Sequence, residues 1–146
     1  MINIRVYDGQ ITKNFNIKEF KCRANGEVLL NEDVISHIVR LQKFREWYGR
    51  TMKINSGYRT TTYNSKIGGA PKSKHMQGIA TDFALPLKEF SGYSQDRKNE
   101  FLDNVKEKWY QLCEEDGVQG GVGFYDTFIH LDSRTDRQAF WNMRNK

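Results

Sequence analysis

The chain has three histidines, His37, His75 and His130, and two of them stand in company that could do chemistry. His75 lies in Ser73-Lys74-His75-Met76-Gln77-Gly78-Ile79-Ala80-Thr81-Asp82, and His130 in Phe128-Ile129-His130-Leu131-Asp132. In a strand of period two, Asp82 shares a face with Ala80, while Ile79, Thr81 and Phe83 face the other way. A carboxylate on such an apolar strand is costly to bury without a partner. Gly78 permits a turn that folds His75 back over the same face. His130 points away from Ile129 and Leu131. Two imidazoles and one carboxylate converging in a cleft make a three-ligand Zn²⁺ site, His75, Asp82 and His130, with the fourth position left to water. That open position marks a catalytic rather than a structural zinc site. Spacing alone leaves a second reading open, in which these are isolated polar residues on strands. His37, beside Ile38 on the apolar edge of a helix, reads as a structural or exposed helix residue and not a ligand.

The segments that hold these residues are marked by periodicity. Ile2, Ile4 and Val6 alternate with polar residues, a short strand stopped by Asp8-Gly9. Asn31 is a helix N-cap, with Glu32 and Asp33 in the first turn. Val34, Ile38, Leu41 and Trp47/Tyr48 recur at helical spacing, and Gly49 closes the helix. Met52 to Ser56 reads as a strand, Ser56 to Ser73 as a polar stretch with little periodicity, and Ile79 to Ala84 as a strand. A second helix is predicted from Gln95 to Glu115, with Phe101, Val105, Trp109 and Leu112 on its buried stripe. Gly120-Gly121-Val122-Gly123 then leads to a final strand, Phe128 to Asp132. This mixed order predicts an α+β fold, a small antiparallel sheet flanked by helices.

Length and composition set outer bounds. At 146 residues the chain is one domain's worth, residues 1–146, without repeat or linker. Aromatic residues at 13% argue against disorder. No apolar run approaches the ~20 residues of a membrane helix. Twenty-three Lys+Arg against eighteen Asp+Glu give +5 and a pI near 9.2, which favours an anionic partner. The basic residues are scattered, so no nucleic-acid-binding arm is expected. Cys22 and Cys113 stand alone and read as buried thiols. The opening Met1-Ile2-Asn3-Ile4-Arg5 lacks the layout of a secretory signal, so the chain is expected to be cytoplasmic as made.

Ser73-x-His75-x-x-Gly78-x-Ala80-x-Asp82, followed by a distal His130 in a short strand, resembles the zinc motif of the M15 peptidases. This group contains D-Ala-D-Ala carboxypeptidases and phage endolysins and shares the lysostaphin/hedgehog-type fold. Ser56-Gly57-Tyr58-Arg59 resembles the family's upstream arginine motif, and Gly121-Val122-Gly123-Phe124-Tyr125 its glycine-rich lead-in to the last ligand. Asn16-Ile17-Lys18-Glu19-Phe20-Lys21-Cys22 is similar to an opening found in the subfamily.

The resemblance implies Zn²⁺ held by His75, Asp82 and His130, and Arg59 binding a substrate carboxylate or carbonyl oxygen. It implies cleavage of peptidoglycan stem or cross-link peptides by a metal-activated water, by a monomer whose basic charge suits an anionic wall polymer. Neither nucleic acid nor membrane is an expected partner. The absent secretory signal fits a phage product released to the wall. Tyr58 and Tyr125 read first as core aromatics, with a place lining the cleft as the alternative for both. Two positions depart from the pattern. Some branches carry an acid or histidine two or three residues before the last ligand as general base; here Phe128 and Thr127 stand there. Ala24 occupies a place where the opening often has a second cysteine. Strand parity offers Asp132 and Asp126 for the base, and either could instead accept the free N–H of a ligand histidine. The missing base favours a rival reading, a catalytically silent zinc fold that binds the cell wall or a virion partner.

Overall fold

The computed structural model describes residues 8–145; the expected strand at Ile2 to Val6 lies outside them. A short 3₁₀ turn, η1 (Ile17–Phe20), precedes α1 (Glu32–Tyr48), β1 (Ile54–Ser56) and α2 (Thr61–Lys66). A second turn, η2 (Lys74–Gln77), leads to β2 (Ala80–Ala84), α3 (Leu87–Phe90) and α4 (Gln95–Glu115). The chain then forms β3 (Gly121–Phe124), β4 (Phe128–Asp132) and β5 (Ala139–Asn142). The five strands make one sheet in the order β1-β2-β4-β3-β5.

The two long helices stop and start where their capping residues dictate. Asn31 accepts a hydrogen bond from the Val34 N–H at 2.9 Å, and Gly49, at φ 68°, closes α1 by donating to the Arg45 carbonyl. Ser94 caps α4 by accepting from the Arg97 N–H at 3.1 Å. Both helices lie on one face of the sheet. Ile38, Leu41 and Phe44 of α1 meet Phe83, Ile129 and Leu131 in a single buried cluster with Leu102, Val105 and Trp109 of α4. Each such fully buried side chain contributes roughly 1.5–3 kcal/mol. The buried line of α4 runs through Leu102 rather than Phe101, which is half-buried and packs edge-on against Phe90. On α1 it is Tyr48 that faces inward, while Trp47 faces solvent.

Two features of the sheet differ from the sequence expectation. The glycine-rich Gly121–Phe124 is a strand itself, and β4 is not the last. After β4 the chain crosses the end of β3 and returns as β5, which pairs with β3 in parallel. The other pairs are antiparallel, so the sheet is mixed. β5 has alternating half-buried and exposed residues, with no continuous apolar run to announce it.

A polar seam joins α1 to the back of the sheet. His37 is fully buried, its Nδ1 2.6 Å from Ser133 Oγ and its Nε2 2.9 Å from Thr81 Oγ1. Arg40 donates to the same Ser133 Oγ at 2.7 Å and to Asp116 at 2.9 Å. Burial, then the Arg40 charge, lower the His37 pKa to about 3, so the ring stays neutral. Both cysteines are free and buried.

Candidate metal centre

The register of the sheet builds the site. Ser56 pairs with Asp82, Asp82 with His130, His130 with Gly123 and Gly123 with Trp141. These five residues form one row across all five strands, on the face opposite the helices. His75 is brought in from outside the sheet by η2. Ser73 caps that turn by accepting from the His75 N–H at 3.2 Å. Gly78, at φ 71°, reverses the chain into β2, where an L-residue would be strained. A Cβ on Gly78 would also press on Val34 at 2.8 Å.

His75, Asp82 and His130 thus meet, all buried, with one candidate ligand atom from each lying within 4.8 Å of the others. Asp82 Oδ1 is 3.2 Å from His75 Nε2 and 2.9 Å from His130 Nδ1. The far nitrogens are also held. His75 Nδ1 is 2.7 Å from the Gly57 carbonyl oxygen, and His130 Nε2 is 2.8 Å from Asp132 Oδ2. Each ring thus faces an acceptor at both nitrogens, since Asp82, Asp132 and the Gly57 carbonyl only accept, and a neutral ring carries one proton for the two. With that proton on the far nitrogen of each ring, both near nitrogens would turn lone pairs towards Asp82, the arrangement a divalent cation would satisfy.

Burial opposes charge on Asp82, yet its bonds to His130 and His75 outweigh this and hold the carboxyl below its ordinary range. His75 is lowered, chiefly by burial against the pull of Asp82. His130 is raised, because Asp132 and Asp82 outweigh its burial. A divalent ion at this point would face the near nitrogens of both rings at once. Two imidazoles and a carboxylate suit zinc, and each imidazole is oriented by an acceptor behind it, as metal-binding histidines usually are.

The cluster floors a cleft of about 540 Å³. Arg59 flanks it on the Asp82 side, with Nη2 3.5 Å from Asp82 Oδ2. Ser56 Oγ and Asn64 Oδ1 accept from the guanidinium at 3.2 and 3.3 Å, and the Arg59 N–H ties this loop to the His75 carbonyl at 3.0 Å. The two candidates for a base are placed differently. Asp132 is wholly buried beneath His130, and its oxygens also accept from Arg134 Nε and Nη2 at 2.9 and 2.7 Å. Burial opposes its charge, but these partners keep it ionised and its pKa low. It orients His130 and is not open to a substrate. Asp126 stands in the exposed β3–β4 turn, bound to Asn145 at 2.8 Å, and does not line the cleft. The strand parity that offered Asp126 as a base does not extend through this turn.

Tyr58 is half-buried. Tyr125 takes the second of the two places offered for it, lining the cleft with Phe128, Arg134 and Trp141. Trp141 and Arg134 were not singled out from sequence. A signal existed in Gly123, since a glycine inside a strand marks a close approach by another group. A Cβ there would overlap the Trp141 indole.

Comparison with known proteins agrees with this geometry. A stretch of 61 residues is 36% identical to the zinc D-Ala-D-Ala carboxypeptidase of Streptomyces albus G. It covers 41% of this chain and 24% of that relative, so the match spans about a quarter of the longer protein. The Peptidase M15 family model matches residues 13–132, from the segment before η1 to the end of β4, and the chain therefore belongs to the M15 peptidase family.

Proposed function

We propose that the protein is a zinc peptidase acting at the bacterial cell wall, where it hydrolyses peptide bonds in peptidoglycan stem or cross-link peptides. The observation that carries this reading is the convergence of His75, His130 and Asp82 ligand atoms on the floor of an open cleft. His75 Nε2, His130 Nδ1 and Asp82 would hold the zinc, which when bound would supply Lewis acidity towards a carbonyl and lower the pKa of water towards neutrality. The Gly57 carbonyl and Asp132 keep the protons of the two rings on the side away from the ligand atoms. Arg59 offers its guanidinium to a substrate oxygen beside Asp82, and its planar fork suits a carboxylate or a developing oxyanion. The similarity to a zinc D-Ala-D-Ala carboxypeptidase supports a peptidoglycan substrate.

One observation favours a second reading. Asp82 is the only carboxylate lining the cleft among the described residues, so no side chain there is an obvious general base. A zinc-binding module that holds the wall, or a virion partner, without cutting it would have such a cleft.

Purified protein loaded with zinc and incubated with purified peptidoglycan decides between them by mass spectrometry of the soluble products. New peptide ends that disappear with chelator and with His75→Ala support the peptidase, and their masses identify the bond. Stoichiometric zinc with no new ends over a buffer control overturns it.

A further inference from the structure

The cleft contains a hydroxyl that the metal cluster does not use. Tyr125, just past the end of β3, stacks on Phe128 with ring centroids 4.2 Å apart and planes within 10°. Its Oη lies 2.8 Å from Trp141 Nε1. An indole nitrogen can only donate, so the direction of this bond is fixed, and the phenol keeps its own proton for another acceptor. Trp141 is itself held. Its ring packs 4.9 Å from that of His130, the Arg134 guanidinium lies 5.4 Å over it, and bare Gly123 gives it room against the sheet. The phenol is therefore tied, through one fixed indole, to a candidate metal ligand.

We propose that Tyr125 is a further catalytic residue, whose hydroxyl donates a hydrogen bond to the scissile carbonyl oxygen as negative charge collects there, with Trp141 as its positioning residue. This rests on the peptidase reading above. The row of ligands has Arg59 at its Asp82 end and Trp141 with Tyr125 at its His130 end. Arg134 is a weaker candidate for this task, because Asp132 already engages its guanidinium at two nitrogens. A preorganised donor held by a neighbour gains strength as charge develops, without reorganising at that moment. Trp141 lies beyond residues 13–132, so family membership does not by itself supply the contact.

The test uses zinc-loaded full-length protein and a peptide containing the bond found by mass spectrometry. Tyr125→Phe is expected to lower kcat by about 10²-fold, as loss of an oxyanion donor does. KM should stay within about twofold and zinc should remain stoichiometric. Affinity for a phosphinate analogue of that peptide, measured by calorimetry, should fall in parallel with kcat, while affinity for the product peptide holds. Trp141→Phe leaves the phenol in place but unheld, and should lose less than Tyr125→Phe. Full kcat in Tyr125→Phe, a loss confined to KM, or loss of zinc overturns the role of Tyr125 and leaves the peptidase reading standing. A wild-type protein that cuts no peptide overturns both.

Discussion

Replacing Asp132 by Asn separates orientation of a metal ligand from proton transfer. The carboxylate accepts four hydrogen bonds, from His130 Nε2 and from three nitrogens of Arg134. An amide keeps one acceptor and presents an NH₂ in place of the other. If the Asn oxygen stays with the Arg134 N–H and Nε, the NH₂ faces His130 Nε2–H and Arg134 Nη2, donor against donor. The cheapest relief is for His130 to move its proton to Nδ1, the nitrogen it needs bare for metal. Loss of such a supporting partner typically weakens metal affinity by about 10–100-fold, or about 1.4–2.8 kcal/mol. Breaking a buried charge pair costs about 3–5 kcal/mol, and here the lower end applies because Arg134 keeps 14% of its side chain exposed. Competition of the metal-free protein against a chromophoric chelator gives the zinc affinity, and kcat is measured separately at saturating zinc. The expected result is weakened affinity with a kcat loss below about tenfold. If kcat instead falls by about 10²–10⁴ with affinity intact, Asp132 transfers a proton and the argument from its burial fails. Asp126→Asn, bound to Asn145 away from the cleft, should change neither.

Arg59→Ala should lower kcat/KM by about 10²–10³-fold with zinc content unchanged, and Arg59→Lys should recover only part, since an ammonium lacks the fork; wild-type kinetics in either would count against the role. His37 makes the metal-free protein acid-sensitive: its folded pKa, about 3, lies below the ordinary 6.5, so its contribution is whole above pH 6.5 and drains as pH falls towards 3, by up to about 1.4 kcal/mol per unit. Urea melts from pH 7.5 to 5 should show a shallower acid slope in His37→Gln than in wild type, the opposite contribution of His130 cancelling in the comparison. Gly123→Ala should displace Trp141, costing about 1–3 kcal/mol of stability by overpacking and lowering activity while zinc stays bound; an unchanged thermal midpoint and rate would contradict the close approach seen there.

What the sequence disclosed follows from how local each signal is. The helices α1 and α4 carry their own boundaries in Asn31, Gly49 and the buried periodicity, and the alternation through Asp82 and His130 fixed which side chains share a face. The α+β fold with its mostly antiparallel sheet is as expected, and what went unread is β5, a four-residue edge strand half exposed along its length, whose parallel partner is set by a chain crossing and not by local pattern. The same distance effect hid half of the site. That Asp132 shares the face of His130 is a matter of parity, but that Arg134 and burial take up its oxygens depends on a loop folding back. Trp141 enters only through β5, so its contact with His130 and Tyr125 was invisible until that strand was placed.

The two faces of the sheet also explain why the candidate ligands hold their position in such short strands. Thr81 is next to Asp82, and Ser133 next to Asp132; the first member of each pair faces the buried seam and the second the row of the metal centre. His37 bridges Thr81 and Ser133 from behind, and Arg40 secures Ser133 from the same helix. A one-residue slip of β2 would turn Asp82 into the apolar layer and Thr81 out of it, reversing every side chain on the strand. Such a slip would break the His37 bonds and bury an unpaired carboxylate, so the neutral histidine behind the sheet and the two candidate ligand histidines in front favour the same register. The donor set is therefore kept converged before any metal arrives, which is the condition an open three-ligand site must meet if removing the ion is to leave the fold intact.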